Sequence, residues 1–211
     1  MPMVEWLKSD KPVEYLSAVE FMEKRVKMIS EGIKPELVWL LEHSAIYTAG
    51  ISADAAEISA NITIPVFQTG RGGRYTYHGP GQRVIYAMLD LKKRNKCDIK
   101  LYIKNLSTWI INSLYHLSIY GEFKSDRIGV WVNTNGKEEK IAAFGIKIRK
   151  WVTYHGIALN VHPDLSHYSS IIPCGIREYG ITSMKKLGIE TSLDAIDEIL
   201  QKEFYKVFSK T

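Results

Sequence analysis

Five consecutive apolar side chains, LVWLL, occupy residues 37–41. A strand with one face in water alternates apolar and polar residues, whereas a strand buried on both faces is apolar at every position. Pro35 redirects the chain just before this run, and His43 follows it. The run therefore predicts the central strand of a sheet.

Helical spacing of apolar residues marks three other parts of the chain: the segment between Pro12 and Gly32, residues 99–117 and residues 193–208. A short helix capped by Thr182 or Ser183 is also predicted. Five side chains of the second helix are expected to face the core: Leu101, Ile103, Leu106, Ile110 and Leu114. Further strands are predicted at residues 3–7, 46–48, 64–67, 83–89, 129–132 and 151–160, with another opened by Lys140. The mixture predicts an α/β fold.

A length of 211 residues suits one domain over residues 1–211. The net charge of +5 favours acidic partners, such as nucleic acid, anionic lipid or an acidic protein. No basic helix interleaves with aromatic residues, and no apolar run reaches the ~18–20 residues of a spanning helix, so neither nucleic acid nor membrane binding is expected. Cys97 and Cys174 are too few for a disulfide framework and lack zinc-site spacing, which favours a reducing, cytoplasmic location.

Cys174 is a candidate nucleophile. A free thiol with a pKa near ~8.5 is mostly protonated at neutral pH and needs a neighbour that stabilises its thiolate. The ammonium of Lys140 would do so, and a neutral Lys140 could later accept a proton from an attacking amine. Alternatively, Cys174 is a small core residue and Lys140 a solvated charge at the start of a strand.

Small residues follow Lys140 in the predicted strand. Ala142, Ala143 and Gly145 leave space for another group to approach the backbone. In the strand over residues 151–160, His155 is expected either to donate to a carbonyl or to satisfy a buried network. Alternation predicts that Ile157 shares the face of His155, and that the opposite face carries Val152, Tyr154, Gly156 and Ala158.

A glycine-rich stretch covers residues 68–82, with five glycines in fifteen residues. Such a loop bends closely round a ligand and exposes backbone amides as donors. It lacks the spacing of a phosphate-binding GxxxxGK[ST] or GxGxxG motif, so nucleotide binding is not indicated. Arg71 and Arg74 are either anion contacts or ordinary surface charges.

Three blocks in order resemble the octanoyltransferase family, also called lipoate-protein ligase B. They are LLEHSAIYTAG at residues 40–50, RGGRYTYHGPGQ at residues 71–82, and KIAAFGIK, WVTYHGIALN and PCGI in the span that begins at Lys140. The resemblance covers most of the chain. It implies the α/β fold of biotin and lipoate ligases, a single domain of mixed and antiparallel sheets flanked by helices.

The resemblance also implies roles for individual residues. Cys174 would carry the acyl group as a thioester, with Lys140 as its activating partner. His43 and His155 would lie near the site, and no metal ion or cofactor is implied. The residues expected to line the substrate channel are Arg71, Gly72, Gly73, Arg74, Tyr75, Thr76, Tyr77, His78, Ala143, Phe144, Gly145, Gly156, Ile157 and Ala158. Ser44 and Phe144 depart from the family pattern, and Phe144 is expected to narrow the acyl tunnel.

The implied reaction transfers an octanoyl group from octanoyl-acyl carrier protein to a lysine of lipoyl domains, as in 2-oxoacid dehydrogenase complexes and the glycine cleavage H protein. Exchange between two thioesters changes the free energy little, and amide formation then drives the second step. Backbone amides, assisted by His78, are expected to stabilise the oxyanion. Two alternatives are an ATP-dependent lipoate or biotin ligase of the same fold and an inert binding module.

Overall fold

The apolar run at residues 37–41 forms a strand second from one end of a large sheet, so it is paired on both sides but is not at the centre. The structure, a computed structural model, describes residues 3–172 and 179–209. In these residues an eight-stranded sheet, here the main sheet, has the order β1-β2-β6-β10-β9-β8-β7, with β11 also paired to β9. Its strands are β1 (Val4–Lys8), β2 (Glu36–Leu41), β6 (Gln82–Met88), β7 (Gly121–Phe123), β8 (Gly129–Thr134), β9 (Lys137–Arg149), β10 (Val152–Asn160) and β11 (Gly180–Ile181). The β1–β2 and β9–β11 pairs are parallel and the others antiparallel.

Helices cover both faces of the main sheet. They are α1 (Tyr15–Ser30), α2 (Ile99–Tyr115) and α3 (Leu193–Phe208). Val38 and Leu40 of β2 belong to the core cluster that includes residues of α2 and α3. Leu37, Trp39 and Leu41 belong to the cluster under α1. The prediction that this strand is buried on both faces is confirmed, and so is the α/β fold.

A second, smaller sheet lies beside the main one. It has the order β4-β3-β5, with β3 (Ile46–Ala49) parallel to β4 (Val66–Gln68) and antiparallel to β5 (Tyr75–His78). A third apolar cluster, which includes Tyr47, Tyr77 and Tyr168, packs this sheet against a short 3-10 helix at Leu165–Ser170. None of the described helices is long and apolar enough to cross a bilayer.

Four details of the sequence interpretation need correction. The glycine-rich stretch is not one loop, because residues 75–78 pair with β3 and Gln82 already begins β6. Leu101 is exposed, since the inner face of α2 is formed by Tyr102, Leu106 and Trp109.

The returning strand begins at Lys137, three residues before Lys140, because a tight turn at residues 135–136 closes the β8–β9 hairpin. Neither Thr182 nor Ser183 caps a short helix, because residues 184–188 form a turn. The hydroxyl of Ser183 instead accepts a hydrogen bond of 3.1 Å from the amide of Lys186, which stabilises this turn.

Candidate active site

A cavity lies between the main sheet and the glycine-rich segment. It encloses about 730 Å³ of empty space, counting its opening to solvent. One side, here the strand wall, consists of residues 143–145 of β9 and 156–158 of β10; the other, here the loop wall, is formed within residues 71–78. Lys140 and His155 also line the cavity.

Small residues bring the backbone of the strand wall close to its neighbours. Gly145 and Gly156 face each other in the β9–β10 ladder. A methyl group on Gly156, at φ +157°, would lie 2.1 Å from the carbonyl oxygen of Ile85 on β6. One on Gly145 would lie 2.7 Å from Cδ of Arg71. The glycines therefore let three strands and the Arg71 side chain meet without steric overlap.

Arg71 holds the loop wall in place. Its guanidinium donates to the carbonyl oxygens of Thr48 and Gly72 (both 2.9 Å) and Arg74 (3.1 Å), and to the Thr48 hydroxyl (2.6 Å). Only 7% of the residue is exposed. The interpretation of Arg71 as an ordinary surface charge is therefore wrong, since it cross-links backbone segments.

Two further contacts fix the loop wall. The amide of Gly72 donates to the carbonyl of Ile146 on β9 at 3.0 Å, which fastens the segment to the strand wall. Arg74 forms an ion pair with the largely buried Glu57. The glycine-rich segment is thus part of the scaffold around the cavity.

Lys140 is a buried cation beside this cavity. It is 3% exposed, so the alternative of a solvated charge is wrong. Its Nζ lies 3.3 Å from the carbonyl oxygen of Ile128 and 4.6 Å from the ring centroid of Trp131. A buried ammonium requires such polar partners because desolvation disfavours its charge.

Cys174 lies outside the described residues, as do its neighbours Pro173 and Gly175. The described chain approaches from one side at Ile172, whose amide donates to the carbonyl of Glu57 at 2.8 Å. It resumes at Tyr179, whose ring centroid lies 5.3 Å from that of Trp131. The pairing of Cys174 with Lys140 stays a prediction.

His78 is buried on the loop wall, and its pKa is lowered to about 3 by desolvation and then by the neighbouring His43. Its Nδ1 lies 2.7 Å from Oε1 of Gln82. The amide group of Gln82 donates to Asn160 and Tyr168, so its oxygen faces His78 and Nδ1 carries the proton. Neutral His78 then has no proton on Nε2, and this geometry does not support a role as oxyanion donor.

His155 occupies an irregular point of β10. Its φ is +57°, a left-handed value that interrupts the regular alternation predicted for this strand, and His155 through Ala158 all line the cavity. Its ring stacks on Tyr154 at 5.2 Å and meets the Tyr86 ring edge-on at 5.9 Å. Burial, followed by the charge of Arg71, lowers its pKa to about 3. Of the two alternatives for His155, the hydrogen bond to a carbonyl is not found among the described residues.

The remaining predicted site residues lie behind the cavity surface. His43 donates from Nδ1 to the carbonyl of Val13 and accepts at Nε2 from the Tyr86 hydroxyl, both at 2.7 Å, so it orients a lining residue. Tyr77 stacks on His167 at 4.6 Å. With Gly72, they are the predicted residues of the described chain that do not line the cavity.

Sequence reasoning missed several lining residues: Tyr15, Val84, Tyr86, Asn160, Tyr168 and Ile181. The alternation of β6 could have identified Val84 and Tyr86, which share one face of the strand next to β10. Tyr15 gives no local signal, because it reaches the cavity from the first turn of α1.

Known proteins are similar to this chain over nearly its full length. Residues 14–205 match the family model of the lipoyl protein ligase A/B catalytic domain. The chain is 64% identical over 206 residues to the octanoyltransferase of Wolbachia sp. subsp. Brugia malayi (strain TRS), covering 98% of this chain and 100% of that protein. It is 56% identical over 207 residues to the octanoyltransferase of Ehrlichia canis (strain Jake), covering 98% and 97%.

Solved structures share the fold at low sequence identity. Lipoate-protein ligase A bound with ATP has a TM-score of 0.77 and 18% identity, covering 97% of this chain and 85% of that one. The biotin protein ligase of Aquifex aeolicus in complex with biotin and ATP has a TM-score of 0.55 and 14% identity, covering 98% and 70%. The predicted biotin and lipoate ligase fold is confirmed.

The family assignment rests on the sequence relatives and the family model, since the solved structures support the fold alone. The relatives are full-length matches above 50% identity. The chain therefore belongs to the octanoyltransferase family, within the lipoyl protein ligase A/B catalytic domain family, and is an acyltransferase.

Proposed function

We propose that this enzyme moves an octanoyl group from octanoyl-acyl carrier protein to a specific lysine of lipoyl domains, by way of a thioester on Cys174. The observation that carries the proposal is a buried lysine, Lys140, that lines a cavity whose strand wall includes the small residues Ala143, Gly145, Gly156 and Ala158. From Lys140 to Gly145 the strand runs about 17 Å, which exceeds the length of an extended eight-carbon chain.

The first half-reaction exchanges one thioester for another. The thiolate of Cys174 attacks the octanoyl carbonyl, the bond to the carrier sulfur breaks, and the carrier leaves as a thiol by taking the proton of the Lys140 ammonium, which becomes neutral. The ammonium of Lys140 stabilises the attacking thiolate by its charge. A serine at this position would lose the free energy stored in the thioester.

The second half-reaction forms an amide. A neutral lysine amine of the acceptor attacks the octanoyl-Cys174 carbonyl, the carbon–sulfur bond breaks, and Cys174 is released as a thiolate. The attacking nitrogen loses a proton, which a neutral Lys140 accepts. No nucleotide enters either step.

The net charge of +5 suits acidic acyl carrier proteins and lipoyl domains as partners. The acceptors we propose are the lipoyl domains of 2-oxoacid dehydrogenase complexes and the glycine cleavage H protein. Electrostatic steering acts on the association rate, so we expect transfer at limiting carrier concentration to slow with added salt.

Intact mass spectrometry tests the proposal. Wild-type enzyme mixed with octanoyl-acyl carrier protein is expected to gain one octanoyl group, and peptide mapping should locate it on Cys174. Cys174→Ala should gain none, whereas Cys97→Ala is the matched control and should behave as wild type because Cys97 is an exposed residue that does not line the cavity.

An unmodified wild type, or an adduct that persists in Cys174→Ala, would refute the thioester route. The same assay with free octanoate, ATP and Mg²⁺ distinguishes the ligase alternative. Transfer that requires ATP and survives Cys174→Ala would identify an adenylate-forming ligase.

A further inference from the structure

Trp131 is a buried tryptophan with unusual surroundings. It is 3% exposed, yet it belongs to none of the three apolar clusters of the described residues. Nζ of Lys140 lies 4.6 Å from its ring centroid and Cζ of Arg127 lies 4.8 Å from it. The Tyr179 ring also contacts it in an edge-to-face arrangement, with an interplanar angle of 70°. Two cations near one indole indicate that this site holds positively charged side chains against the ring.

A β-bulge brings Trp131 to Lys140. Val130 pairs with Ala142 in the β8–β9 ladder, but the register shifts at the next residue and Trp131 pairs with Lys140. Without the shift Trp131 would face Ile141, which is buried in the core beside α2 and α3. The bulge therefore places the indole on the same face as the lysine and beside it.

Gly129 leaves space for the Lys140 side chain. A methyl group at this position would lie 3.0 Å from Cε of Lys140 and 2.8 Å from the carbonyl oxygen of Ala142. The aliphatic part of Lys140 thus passes over bare backbone, and its ammonium reaches the carbonyl of Ile128 and the face of Trp131.

Other contacts fix the indole itself. Its Nε1 donates to the carbonyl of Arg127 at 2.9 Å. The Arg127 guanidinium lies over Tyr179, with Cζ 3.9 Å from the ring centroid, and forms an ion pair with Glu138 that offsets its charge. The Trp131 indole is held through the N–H at its edge, so its orientation does not depend on Lys140.

We propose that Trp131 is a positioning residue for Lys140, holding the ammonium against its ring face so that the charge stays beside the cavity. This inference rests on the proposed role of Lys140 in acyl transfer. Trp131 does not line the cavity itself, so its effect passes through the lysine. A cation–π contact contributes most when it is desolvated, as this one is.

Steady-state octanoyl transfer tests the inference. Trp131→Leu is expected to lower kcat about tenfold with KM for the octanoyl donor unchanged, because the cavity wall is intact. Trp131→Phe keeps a ring face and should recover most of that loss. The pH midpoint of Cys174 alkylation should rise in Trp131→Leu and stay near wild type in Trp131→Phe.

The matched control is Trp6→Leu on the edge strand β1, where the indole N–H is also bonded, here to the Tyr205 hydroxyl. Trp6→Leu should lower the free energy of unfolding without changing kcat. Should Trp131→Leu fail to fold, tetrafluorotryptophan can be placed at position 131. It weakens the attraction between the ring face and the ammonium and changes the shape of the side chain very little. It should reduce kcat several-fold, and the same analogue at position 6 should not.

Three results would each overturn the inference: equal losses of kcat in Trp131→Leu and Trp131→Phe, a change in KM alone, or an unchanged kcat with the fluorinated ring. Lys140→Ala separates it from the proposed function. If transfer survives Lys140→Ala, the proposed role of Lys140 fails and the inference fails with it; if Lys140→Ala abolishes transfer and the Trp131 variants do not affect it, only the role of Trp131 fails.

Discussion

The two walls of the cavity are held by different kinds of interaction. The strand wall belongs to the β9–β10 pair, where a continuous ladder of backbone hydrogen bonds and a pair of facing glycines fix its shape. In the loop wall, residues 75–78 pair with β3, and residues 71–74 are held largely by the guanidinium of Arg71, which joins the carbonyls of Thr48, Gly72 and Arg74.

Because of this difference, we expect the strand wall to be rigid and the loop wall to be more adaptable. Lys140 lies on β9, in the rigid half, where its position follows from strand register. A ladder has many redundant bonds, whereas residues 71–74 of the loop wall depend on a side chain whose loss frees several groups at once. We expect substitutions in the strand wall to affect folding and substitutions in the loop wall to affect substrate binding as well.

The largest expected effect is that of Gly156→Ala. The new methyl group would overlap the carbonyl of Ile85 at an unfavourable φ, so we expect a loss of about 4 kcal/mol in the free energy of unfolding, measured in urea. Gly72→Ala in the loop wall meets only an ordinary contact at 3.6 Å and should cost less than about 1 kcal/mol. Similar losses in the two variants would contradict the distinction between the walls.

Arg71→Met should have the next largest effect. Several buried carbonyls would lose a donor, and we expect a loss of about 3 kcal/mol in unfolding free energy and a higher KM for the octanoyl donor. Arg149→Met changes an exposed arginine of β9 and should stay within about 0.5 kcal/mol of wild type. An Arg71→Met enzyme with wild-type stability and KM would show that the loop wall does not need this cross-link.

The strand wall could be predicted from sequence better than the loop wall. An apolar run identifies β2, and small residues after Lys140 mark a strand whose backbone is approached closely by neighbouring groups. Both signals are contained in a short stretch of sequence. The hydrogen bonds of Arg71 and the arrival of Tyr15 from α1 join distant segments, so no local pattern contains them. The β-bulge beside Trp131 is likewise set by pairing, and alternation alone does not predict it.

Histidines on both walls should give a pH-dependent stability. His155 has a pKa of about 3 in the folded protein, below its unfolded value near ~6.5, because burial disfavours the charged ring. The unfolded chain therefore binds more protons below about pH 6.5, and the stability present above that pH is lost as pH falls towards 3. Each such histidine should lower the unfolding free energy by about 2 kcal/mol between pH 7 and pH 5.

His155→Asn tests this prediction, since asparagine tolerates the left-handed φ at this position. The variant should lose about 2 kcal/mol less than wild type between pH 7 and pH 5 in urea denaturation. His162→Asn, outside the cavity, is the control and should follow the wild-type curve. Parallel curves for His155→Asn and wild type would mean that His155 is not held neutral.

The smallest expected effect concerns acyl length. Phe144 lines the cavity on the strand wall, and Phe144→Leu should admit about two more methylene groups. We expect the ratio of decanoyl to octanoyl transfer to rise about tenfold in competition assays. Ile146→Leu, on the same strand but outside the cavity, should leave the ratio unchanged. An unchanged ratio in Phe144→Leu would place the end of the acyl chain elsewhere.

In the proposed reaction, an acyl chain lies between the two walls with its carbonyl end at Lys140 and Cys174. A crystal structure of the octanoylated enzyme would show whether it does. An octanoyl thioester is expected on Cys174, with its chain running along the strand wall towards Phe144 and with Cys174 Sγ within about 4 Å of Lys140 Nζ. An octanoyl group outside the cavity, or a sulfur far from that nitrogen, would contradict it.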